Sequence, residues 1–142
     1  MANIIPFAFR GELFSGTHNF ANGGNSFKIA LYTSFAAYST GSTVYQTTNE
    51  VSSNNTGYTT AGKVLAGQAV VSTGAVATVD FTDSTLTNAT FTAAFAAIYN
   101  DTNADKLCVV LDFGGNKTAT NGTFTISFPN PATPANAIIS MA

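Results

Sequence analysis

Charge is what this sequence has least of. Charged residues make up 8% of the 142 positions, against roughly a quarter in an ordinary soluble domain. There are five Lys plus Arg, seven Asp plus Glu, one His, one Cys and no Trp. Side-chain chemistry at neutral pH draws mostly on those residue types, so the composition argues for work done by surfaces rather than by a catalytic centre. The cations Arg10, Lys28, Lys63, Lys106 and Lys117 are scattered and the net charge is -2. Nucleic-acid binding needs a Lys/Arg footprint on one face, and none is present. A single cysteine excludes an intrachain disulfide; Cys108, inside an apolar run, reads as a small buried hydrophobe. Long hydrophobic runs are missing too. The longest, at residues 93–99 and 107–111, fall far short of a membrane span. The first ten residues lack the basic and apolar regions of a secretory signal. The expected setting is a cytoplasm, with no membrane partner.

What fills the chain instead is Thr, Ser, Asn, Gly and Ala. Hydrophobic residues reach 45%, enough for a full core and too much for disorder. The length suits one domain over residues 1–142. The mean hydropathy of +0.18 has two readings: alanine inflates it, or neighbouring subunits cover part of the apolar surface.

Pro6 suits a first helical turn, Phe9, Leu13 and Phe14 supply apolar positions, and Gly16 is a helix stop, so a short helix is expected over residues 6–15. Strand patterning dominates from Phe27, where Phe27, Ile29 and Leu31 alternate with Lys28, Ala30 and Tyr32. Short strands are expected around Val44 and Val51. Residues 58–72 read as extended, with Gly62 and Gly67 marking bulges or close backbone approach. Thr73 and Gly74 make a tight turn into residues 75–81, and a turn follows at residues 83–87. Residues 90–99, apolar on both faces, are expected to be central, with residues 107–113 returning beside them after a polar turn. Gly114-Gly115 and Asn121-Gly122 bracket a predicted loop. Phe124, Ile126 and Phe128 alternate until the prolines, and residues 137–141 give a last edge strand. The whole reads as mainly β, a single antiparallel β-sandwich of jelly-roll or immunoglobulin-like type with one short N-terminal helix.

Candidate chemistry is thin. His18 follows the helix stop and is expected to stabilise the turn by a hydrogen bond. A nucleophilic pair with Cys108 would need a thiolate in an electropositive setting, which a core strand does not offer. Asp101, Asn103 and Asp105 imitate the opening of a calcium loop, but Lys106 stands where glycine belongs and no Glu follows; a solvated hairpin turn is the expectation. Nothing places two of Glu12, Glu50, Asp80, Asp83 and Asp112 across a cleft as glycoside hydrolysis requires. No cofactor or metal is expected, and no enzymatic activity. The aromatics Phe35, Tyr38, Tyr45 and Tyr58 lie in a weakly patterned, Ser/Thr-rich half. Tyr45 and Tyr58 are expected to cover the sandwich ends, and Phe35 and Tyr38 to contact a partner.

Several segments together carry a resemblance. They are FRGELFSGTHNF (residues 9–20), FKIALYT (27–33), TTNEVS (47–52), TGYTTAG (56–62), AIYN (97–100), VLDFG (110–114), TNGTFTISFP (120–129) and NAII (136–139). Nearly the whole chain in this way resembles small β-rich structural proteins encoded by tailed bacteriophages. The motifs are turn glycines and core strands, so the resemblance brings no catalytic residue. It implies a virion component, a capsid cement or decoration protein on the outer capsid surface, assembled in the host cytoplasm. Its partners would be the major capsid protein and itself, as a dimer or trimer. Exposed β-edges and apolar termini suit such a role, and Ile4, Ile5, Phe7, Phe35 and Tyr38 are the expected partner contacts. The alternative is a tail- or fibre-associated protein binding a host receptor or glycan through exposed aromatics of residues 35–45.

Overall fold

The computed structural model describes residues 3–142 apart from the Ala36 side chain; Met1 and Ala2, the start of the expected N-terminal contact, lie outside them. Helix α1 spans Phe7–Phe14, with Pro6 in extended conformation ahead of it and Ser15 closing it. Pro6 needs no N–H at a position where the amide would be unpaired. Gly16, at φ +72°, turns the chain out of the helix. Phe9 is the fully buried residue of α1. Phe14, expected on the same side, is rotated about 140° from Phe9 by the helical repeat and stands in solvent.

Seven strands follow: β1 (Phe27–Tyr32), β2 (Lys63–Val64), β3 (Ala69–Thr73), β4 (Val76–Asp80), β5 (Ser84–Asn100), β6 (Lys106–Ile126) and β7 (Ile139–Met141). They form two antiparallel sheets, one ordered β2-β1-β5-β6 and one ordered β3-β4-β7. Strand outweighs helix at 45% against 9% of residues, so the fold is mainly β with one short helix, as the patterning predicts.

The larger sheet is covered on both faces. Phe27, Ile29 and Leu31 of β1 enter the main core with Phe9, Phe20, Phe81, Ile98 and Val109, while Ala30 and Tyr32 enter a second cluster with Phe35, Tyr38, Ala97, Tyr99 and Val110. That explains the double-faced apolar run of β5, which lies between β1 and β6. The smaller sheet adds Val79 and Ile139 to the main core.

Two expected breaks are absorbed into strands. The turn at residues 83–87 is the start of β5, and the loop between the Gly-Gly and Asn-Gly pairs lies inside β6. Asn88, Gly114, Gly115 and Asn121 keep the positive φ that turns would need. The ladder resumes beyond each of them, with Phe95 opposite Asp112 and Ala93 opposite Lys117. These residues therefore make bulges rather than chain reversals. The strands expected near Val44 and Val51 shrink to single bridges, Val44 with Lys106 and Glu50 with Tyr32. Gly62 meets the expectation of close approach: an added Cβ would lie 2.1 Å from the Ile29 carbonyl oxygen.

Candidate functional site

Three places hold the unusual side chains: a buried polar centre, a tyrosine–carboxylate cluster and an outward apolar surface.

The polar centre forms where the loop after α1 crosses the β5–β6 turn. His18 Nε2 lies 2.8 Å from Glu12 Oε2, and Nδ1 lies 3.1 Å from Asn100 Nδ2 and 3.6 Å from Cys108 Sγ. Asn100 Oδ1 accepts from the Thr102 and Asn103 main-chain N–H groups, which fixes its amide so that Nδ2 donates to His18 Nδ1. His18 therefore carries its proton on Nε2 and donates it to Glu12. The other Glu12 oxygen accepts from Lys106 Nζ at 2.6 Å. Burial alone would raise the Glu12 carboxyl, but Lys106 and His18 outweigh it and hold it below the usual value.

Cys108 reaches this centre through a bulge. Ile98 pairs with Val109 and Tyr99 with Leu107, so Cys108 is the extra residue of β6, re-aimed as bulges allow. Glu12, His18 and Cys108 thus stand in the order of an acid–base–nucleophile relay, a juxtaposition the core-strand argument does not anticipate. The chemistry is nevertheless closed. Burial, helped by the Glu12 charge, pushes the Cys108 thiol well above its ordinary value. Cys108 is 0% exposed, and Nδ1 already accepts from Asn100. The arrangement ties α1 to the β5–β6 turn.

The second cluster surrounds Glu50. Its carboxylate accepts from Tyr45 Oη and Tyr58 Oη, each at 2.6 Å, and from the Ala61 N–H at 2.8 Å. Tyr58 Oη also accepts the Leu31 N–H at 3.0 Å. Tyr32 and Tyr38 share a hydroxyl bond at 2.7 Å. Burial raises all five tyrosines above their ordinary value.

Asp101 and Asn103 of the loop are engaged elsewhere. Asp101 pairs with Lys28 at 2.8 Å. Asn103 Nδ2 donates to Thr17 O and Asn25 Oδ1. No group of three or more His, Cys, Asp or Glu gathers as metal ligands would among the described residues. No helix among them is long and apolar enough to cross a membrane.

The five expected contact residues separate. Ile4 exchanges both main-chain hydrogen bonds with Val110 at 2.8 Å, and Ile5 packs against the main core. Phe35 and Tyr38 are corrections to the expected exposure: both are buried. Phe35 meets Phe95 edge-on at 4.6 Å, and Tyr38 Oη accepts from the Gln46 N–H at 3.0 Å. The short 3-10 turn Phe35–Ala37 lies where the Phe35 ring meets β5 and the Tyr38 ring meets Tyr32 of β1 rather than facing outward. Phe7 does stand out, 62% exposed, and Phe14 joins it at 90%. Residues seven apart share a helix face, a signal present in the sequence and overlooked there. Val70 and Met141 are also half exposed; they and Leu13 line one groove between α1 and the smaller sheet. Arg10 lies between the two phenylalanines in the chain, its guanidinium 5.7 Å from the centre of the Phe7 ring.

No protein-family model matches this chain, and no match is found among curated proteins or solved structures.

Proposed function

We propose that this chain is a virion structural protein of the capsid cement type, which binds the outer surface of a phage shell and fastens neighbouring capsomers. The observation that carries the reading is the apolar ridge of Phe7 and Phe14 on a surface nearly free of charge. Large exposed aromatics on a soluble fold mark interaction sites, and few charges need be desolvated when such copies pack. The resemblance of nearly the whole chain to phage structural proteins supplies the shell as partner. The work is mechanical: many copies, each contributing a modest interface, hold the shell against internal pressure.

The alternative of a receptor- or glycan-binding tail protein loses its expected platform, because Phe35 and Tyr38 are buried. The test is to image the particle and count copies against the major capsid protein. Hundreds of copies on the outer shell are expected. A handful at one vertex or on the tail would sink the reading.

A further inference from the structure

The ridge on α1 stands beside a hole of matching size. A groove of about 270 Å³ opens between α1 and the smaller sheet, walled by Leu13, Phe20, Val70, Val79, Ile139 and Met141. Val70, Val79 and Ile139 are cross-strand neighbours and form one apolar row. An apolar cavity of roughly 150 Å³ accepts benzene, so the groove has room for a phenyl ring. Leu13 in its wall precedes Phe14, whose own ring is 90% exposed and turned outward.

We propose that this groove receives the Phe14 ring of a second copy, and that a two-fold axis beside α1 lets the partner's groove receive Phe14 in return. This deepens the self-assembly part of the reading above and is independent of its virion part. Knob and hole on adjacent residues are what an isologous contact needs, since each copy must offer both to the other. The area is of the right order. From about 150–250 Å² per buried aromatic, the exposed parts of Phe7 and Phe14 amount to ~300 Å². Half-exposed Val70 and Met141 bring the apolar total past half of the ~800 Å² each partner contributes to a standard dimer. Glu12 is turned toward Lys106 and His18, so the contact buries no carboxylate from this helix, and Arg10, on the same face as Phe7 and Phe14, has its guanidinium over the Phe7 ring.

The test is sedimentation equilibrium of the full chain across the micromolar range. A dimer is expected. Phe14→Ser should weaken it at least about 30-fold, as loss of an anchoring aromatic does. Below the concentration at which the wild type associates, the far-UV spectrum and Tm should not change, because the ring has little to pack against within the chain. Val70→Glu, at the rim of the groove, should have the same effect from the other side; if it misfolds, Met141→Glu on the three-residue β7 replaces it. Mixing the knob-lacking and groove-blocked variants should restore a weaker heterodimer with one intact contact. A monomeric wild-type chain, an open-ended polymer, or a Phe14→Ser dimer as tight as wild type would each overturn the proposal. None of these outcomes bears on particle copy number, which tests the virion reading separately.

Discussion

Cys108 Sγ lies 3.6 Å from His18 Nδ1, a residue ninety positions away along the chain. Two residues that could form a nucleophile and base therefore meet, yet the contact is sealed inside the main core and shared with Asn100. The distance is suitable for catalysis, whereas the burial is suitable only for structure. In this protein burial decides.

That decision is measurable through thiol reactivity. Native protein should react with an aromatic disulfide reagent only as fast as it opens, because the thiol is inaccessible and its ionisation is suppressed. In denaturant the same cysteine should react at the rate of a free thiol. Rapid native labelling that His18→Ala abolishes would instead reveal an activated pair.

Glu12 links acid stability to the polar centre. Its folded carboxyl is held below the ordinary carboxylate value of 4.5, so the ionised form is favoured by folding. The stabilisation is present above that value and is lost as the pH falls through the lower folded one. Glu12→Gln should cost about 1.5–3 kcal/mol at neutral pH, the range for hydrogen bonds to charged groups, because the amide turns a donor toward either Lys106 or His18. The gap in Tm between wild type and variant should close as the pH is lowered through the carboxylate range. A gap that stays constant down to the most acidic point would remove Glu12 from this role.

The tyrosines set the alkaline limit. All five are raised above the ordinary tyrosine value of 10.0, so the protonated hydroxyls are favoured by folding. Their contribution is complete below that value and falls as the pH rises above it. Tyrosinate absorbance should appear late and together with unfolding, and a gradual rise near pH 10 with the fold intact would contradict the cluster. Tyr58→Phe should cost about 1–3 kcal/mol, because it leaves the Leu31 N–H and a Glu50 oxygen short of partners.

Two glycines with similar dihedrals should behave differently. Gly62 at φ +80° would bring a Cβ to 2.1 Å from the Ile29 carbonyl oxygen, whereas Gly74 at φ +62° meets nothing within 4 Å. Gly74→Ala should cost about 1–2 kcal/mol, the left-handed backbone penalty alone. Gly62→Ala should cost more than about 4 kcal/mol, since main chain must move as well. Similar denaturation midpoints for the two variants would show that the β1–β2 approach is looser than described.

Ser84 carries a buried hydroxyl with no hydrogen-bond partner among the described residues. Ser84→Ala should stabilise the chain by about 1 kcal/mol, by removing an unpaid desolvation cost. Urea unfolding checks it, and a loss of stability would mean that the hydroxyl is satisfied.

Local chemistry made much of this fold readable. Period-two alternation gives β1, Pro6 and Gly16 bound the helix, and the double-faced apolar run marks β5 as central. The turn glycines mislead, because a positive φ is equally compatible with a reversal and with a bulge. Only the partner strand separates them, and β5 offers its ladder to β6 on both sides of Gly114 and Asn121. Phe35 and Tyr38 fail for a related reason: a weakly patterned segment does not reveal that it will lie over the back of the larger sheet.

By itself, the sequence determined what this protein has to work with: a nearly chargeless surface, one histidine, one cysteine and enough apolar mass for a core. These limits hold in any fold, because composition does not depend on conformation. The tertiary structure alone decided which side chains those limits apply to. It buried Cys108 against His18, closed Glu50 under tyrosines, and left Phe7 and Phe14 outside. Contacts between residues ninety positions apart are set by strand register and packing, which no local pattern encodes.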